Sequence, residues 1–151
     1  MRADLQEILV SLLDLHRRKL SLLECYARSL ADRRYYLKTG DTERLSSAVS
    51  EGGVLLELVD AIDYEIGAGF DRIASIAGVE RRDIDDMLRV SGHPKAVELF
   101  EIRARIGSLI AGAIKDYETL VEEMERLSLK IQSDADTLSR YIKVKPMTTP
   151  E

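Results

Sequence analysis

Tryptophan is absent from this 151-residue chain, cysteine occurs once, histidine twice and proline three times. The single cysteine, Cys25, rules out an intramolecular disulfide. It sits mid-helix beside Leu22, Leu23 and Tyr26, where a small buried apolar side chain is expected. A reactive thiol would need a cationic setting or a helix N-terminus. The two histidines do not make a zinc site, because no His-x3-His or cysteine-rich spacing accompanies them. Neither belongs to a Glu-x-x-His pair of the kind that builds di-iron centres into helical bundles. His16 falls on the apolar face of a helix, as a satisfied core histidine would, and His93 precedes Pro94 as in a turn.

Long apolar runs are also missing. No uninterrupted stretch approaches the roughly 20 residues that span a bilayer, so membrane insertion is not expected. The first apolar segment is broken by Asp4, Gln6, Glu7 and Asp14, unlike a cleaved signal. A soluble, cytoplasmic protein is the expectation. A formal net charge of −5 argues against a general nucleic-acid surface. The densest basic cluster, Arg17-Arg18-Lys19, reads as a solvated helix face.

The chemistry of catalysis is equally thin. Gly52-Gly53 and Gly67-Ala68-Gly69 lie inside helical stretches and do not form a phosphate loop. Serines are plentiful, but a triad needs a positioned base. Asp83, Asp85 and Asp86 lack the spacing, turn glycine and distal glutamate of a calcium loop. Acids in a first helical turn are expected from the helix dipole instead. No enzymatic role, metal or cofactor is predicted.

What remains is a chain with 45% hydrophobic and 32% charged residues, a balance that suits a bundle and is too apolar for disorder. Apolar residues at helical spacing predict a first helix over about 4–38, a second over 42–77, a short one over 81–90 and a last over 94–142. The fold class is therefore all-α: an antiparallel bundle of three long helices plus one short helix, with coiled-coil-like packing. Residues 1–142 are read as one helical domain, and 143–151, with Pro146 and Pro150 and no periodicity, as a disordered tail. Gly40 can close the first helix in the left-handed conformation, and Asp41 can cap the second. A connection this short makes those two helices antiparallel. Pro94 suits the first position of the last helix.

Four glycines interrupt the second helix at 52, 53, 67 and 69, each costing roughly 1 kcal/mol relative to alanine. Either the helix kinks there or a neighbour comes close, with Gly107 and Gly112 of the last helix as facing small positions.

The last helix carries the clearest pattern. Ile106, Ile110, Ala113, Tyr117, Leu120, Met124, Leu127, Ile131, Asp134, Leu138 and Tyr141 follow one another in alternating steps of four and three. That is the heptad rhythm of left-handed supercoiling, with Asp134 its one polar entry. At 1.5 Å per residue, the last helix outruns its companions by a length on the order of 20 Å. The stripe continues into the excess. An apolar stripe needs a cover: a client helix, a second copy in a homodimer, or the chain's own bundle at another offset; Leu120, Met124, Leu127, Ile131, Leu138 and Tyr141 are the expected partner-binding residues. The acidic stretch Asp116, Glu118, Glu122, Glu123 and Glu125 reads first as a solvated face, and second as an edge that selects a basic client.

The order of elements, with the turn Thr39-Gly40-Asp41-Thr42-Glu43-Arg44-Leu45 between the first two helices, resembles the FlgN family of flagellar export chaperones over about residues 5–142. The resemblance implies a cytoplasmic chaperone that holds the helical end of hook-associated proteins for export. The alternative from the residues alone is a non-enzymatic coiled-coil adaptor or scaffold that homodimerises.

Overall fold

The computed structural model describes residues 1–144, with side chains through residue 142. Four α-helices follow in order: α1 (Ala3–Thr39), α2 (Thr42–Ala77), α3 (Ile84–Ser91) and α4 (Pro94–Val144), with a 3-10 turn over Arg81–Asp83 leading into α3. The fold is all-α, as the periodicity requires. α4 extends two residues past its expected end, and 145–151, the rest of the expected disordered tail, lie outside the described residues.

The boundaries follow from local chemistry. Gly40 takes φ 71°, its N–H donates to the Leu37 carbonyl at 3.4 Å, and the next N–H, of Asp41, reaches back to Tyr36 at 3.0 Å. Such paired bonds satisfy carbonyls that a helix end leaves open. The Asp41 carboxylate then accepts from the Arg44 N–H at 3.1 Å and starts α2. Pro94 opens α4, and the His93 ring Nδ1 accepts from the Lys95 N–H at 3.1 Å, so this histidine serves as a cap.

α1 is the central element. Both α2 and α4 pack along it, while no Cα of α2 lies within 8 Å of a Cα of α4 among the described residues. The core is deepest at one end. There Leu9, Leu12 and Leu13 of α1, Ile66 and Ile73 of α2, Ile84 and Leu88 of α3, and Leu99 of α4 meet. α3 is thus packed onto the bundle by its apolar face, and Arg103 of α4 ties it further through Asp85 at 2.8 Å. A smaller cluster of Leu23, Val59 and Ile106 follows one level up. Beyond it the core thins to isolated buried residues such as Leu30, Ala48 and Leu120.

The α2 glycines have separate explanations, and α4 supplies none of them. Gly52 and Gly69 are buried against α1: a methyl group at 52 would strike the Arg33 guanidinium, and one at 69 would lie 2.6 Å from Leu12 Cδ2. The expected facing positions, Gly107 and Gly112, have open space around them. α2 and α4 stand too far apart for small residues to bring them together. Close approach does occur, to α1.

Candidate docking surface

Arg34 of α1 reaches Glu123 of α4 at 2.9 Å, which fixes the level at which the two helices part. Beyond that level α1 has five more residues, ending at Thr39, whereas α4 has 21 more, ending at Val144. By the helical rise, α4 projects about 24 Å beyond the end of α1. Every residue from 124 to 142 is exposed.

The apolar stripe runs through this projection. Ile131, Leu138 and Tyr141 are 59%, 61% and 58% exposed, and Met124 and Leu127 at its root are near 42%. Asp134 lies among them, also exposed. Of the six residues expected to bind a partner, five form one open stripe. Leu120 does not: at 3% exposure it is buried by its own chain. α1 still runs beside α4 at that level, so Leu120 anchors the root of the projection and is not available to a partner. Leaving several large apolar side chains in water is unfavourable by roughly 1.5–3 kcal/mol each relative to full burial, which is the physical reason such a stripe acquires a cover.

The stripe leads into a groove that the heptad pattern did not disclose. Because α2 and α4 splay, Leu23 and Tyr26 of α1 form a floor between Leu56 on one wall and Ile110, Ile114 and Tyr117 on the other. The groove has a volume of about 560 Å³ and closes where Val59, Ile106 and Leu23 pack together. Its signal in the sequence was a local widening of the apolar stripes: Leu56 beside Leu55 in α2, and Ile114 between Ala113 and Tyr117 in α4. The acidic stretch borders it. Glu118 lines the groove, Glu122 and Glu125 are exposed, and Glu123 is held by Arg34.

The remaining polar groups of note are structural. His16 is 5% exposed, with Nδ1 2.7 Å from the Leu12 carbonyl and its ring edge-on to Phe70. Burial pushes its pKa below the ordinary 6.5; the hydrogen bond to Leu12 opposes this, and nearby Arg103 and Lys19 add to it. Arg33, unmarked by the sequence pattern, is equally buried. Its Nη2 donates to the Ala48 carbonyl at 3.3 Å, its guanidinium lies 5.4 Å from the Tyr26 ring centre, and its Nε has no partner. Cys25 is half-buried, not enclosed, because it borders a polar cleft between α1 and α2 where Arg28 Nη2 approaches its Sγ at 3.2 Å. Among the described residues no three His, Cys, Asp or Glu side chains converge on a metal position, and no helix is long and apolar enough to cross a membrane.

Comparison with protein families, characterised proteins and solved structures finds no match to this chain.

Proposed function

We propose that this protein is a helix-binding chaperone. An amphipathic client helix lies along the open stripe of α4 and into the groove between α2 and α4. The observation that carries the proposal is the exposure of a heptad stripe over 124–142, apolar except at Asp134, on a helix whose own companions end before it does. A client contacting at i, i+3, i+4 and i+7 matches that geometry. Its apolar face, hidden in this way, cannot aggregate. Glu118, Glu122 and Glu125 favour a client with basic edges.

Within this class, the FlgN-like order of elements supports a cytoplasmic flagellar export chaperone, with the helical end of a hook-associated protein as client. The test is calorimetric titration of such a helical segment into the full chain. Binding is expected, and Ile131→Asp or Leu138→Asp should weaken it at least tenfold while helicity is unchanged. Binding that both substitutions leave intact would place the client elsewhere and overturn the proposal.

A further inference from the structure

We propose that, without a client, the groove is filled by the α4 projection of a second copy of this chain. The two α4 helices run antiparallel, with the two-fold axis crossing α4 between Glu125 and Arg126. The inference rests on the functional proposal in one respect, that this surface docks helices, and adds which helix occupies it in the isolated protein.

Coverage selects the register. About that axis, Tyr141 of the copy comes level with Ile110, Leu138 with Ala113 and Leu127 with Met124, while Leu120 stays covered by its own α1. The stripe of one copy thus ends where the groove of the other closes, at Val59 and Ile106. One heptad further out, Ile110 and Ala113 stay uncovered and the two Lys130 side chains face each other. One heptad further in, the tip of the projection would run into the closed core.

Charge and size agree with the same register. Lys130 is exposed and has no ion-pair partner among the described residues, and in the pair it comes beside Glu123 of the copy. Arg34 occupies Oε1 of that carboxylate, leaving Oε2 to accept. Asp134, the polar entry of the stripe, comes level with the half-exposed Tyr117 of the copy, whose hydroxyl can donate to it. Along one edge large residues meet small ones: Ile142 with Gly107, Ile114 with Ala135, Val121 with Ser128. Symmetry makes each contact twice, as a closed isologous interface requires.

The area is sufficient. Nine apolar side chains on each copy, Leu56 and eight along α4, are 40–61% exposed. At roughly 80–100 Å² each, they supply on the order of 700–900 Å² per partner, about the size of a stable interface. The dimer is then a self-capped store, and a client must displace the second copy.

The test uses the full chain with Cys25→Ser and a spin label at Arg140→Cys. Light scattering should give a dimer in the micromolar range. The label-to-label distance from electron–electron resonance should be roughly 45 Å, from 1.5 Å per residue on either side of the axis. Lys130→Glu should raise the dimer dissociation constant about tenfold, and Glu123→Lys added to it should restore the dimer. Lys130 is exposed, so an unchanged circular dichroism spectrum certifies the fold. A chain that stays monomeric, a distance under about 30 Å, or a dimer indifferent to Lys130→Glu overturns the inference. A monomer that binds the client helix sinks this dimer alone. A dimer with these properties that no client helix dissociates or binds sinks the functional proposal alone.

Discussion

Replacing Gly69 by alanine adds one methyl group to α2 where α1 already fills the space. The new carbon would lie 2.6 Å from Cδ2 and 3.1 Å from Cγ of Leu12, a side chain 1% exposed and held on every side by the core. Overpacking of this kind costs about 1–3 kcal/mol, against a helix-propensity gain of about 1 kcal/mol. The net expectation is a loss of roughly 1 kcal/mol. Gly67, two residues earlier in the same helix, is the control. A methyl group there meets only the Arg81 guanidinium, at 3.7 Å from Nη2 and 4.0 Å from Nη1, so the propensity gain survives nearly whole. The two substitutions should therefore differ by about 2 kcal/mol in urea unfolding, with opposite signs and a midpoint shift near 3 °C per kcal/mol on heating. Adding Leu12→Ala should reverse the sign at Gly69, since the cavity accepts the new methyl group and the pair becomes coupled. A Gly69→Ala protein as stable as Gly67→Ala would refute the close packing of α2 on α1.

Three further outcomes follow from the same packing. His16 has a depressed pKa in the folded protein, so the unfolded chain binds its proton more readily; stability should be full above pH 6.5 and fall as pH drops below it, and His16→Gln should flatten that slope in urea titrations at several pH values. Arg33→Met should leave stability unchanged or raise it by up to about 2 kcal/mol, because the buried guanidinium has one hydrogen bond and no carboxylate partner, whereas Arg33→Ala should lose stability by opening a cavity. Leu138→Asp should leave the urea midpoint of the monomer within about 0.5 kcal/mol of the parent, since that side chain touches no core, yet abolish client capture.

Element boundaries were legible because each carries its own local chemistry. Gly40 and Asp41 define one turn, Gly78 ends α2 at φ 67°, and Pro94 opens α4, so α2 spans 42–77 as expected and the other long helices differ by one or two residues. The projection of α4 was legible too, since it follows from counting residues between turns. What periodicity could not supply was the axial offset between helices. Whether Leu120 lies below or above the end of α1 depends on that offset, and the structure places it below. The splay of α2 from α4 was hidden for a related reason. A helical pattern says which face is apolar, not which neighbour meets it, so Gly52 and Gly69 were matched to α4 when their partners are Arg33 and Leu12 of α1. Arg33 carries no distinguishing mark in the sequence; its burial depends on the space that Gly52 leaves on the facing helix.

Hydrogen exchange over residues 124–142 tests the central claim most directly. In dilute protein those amides should exchange quickly, since no neighbouring element covers that stretch of helix, while the Leu9–Leu99 core stays protected. Addition of a bound helix, from a client or a second copy, should slow exchange across 124–142 and the groove wall at Ile114, leaving the core as it was. Slow exchange of 124–142 at every dilution, or rates there that binding leaves untouched, would contradict the assignment of this stripe as the docking surface.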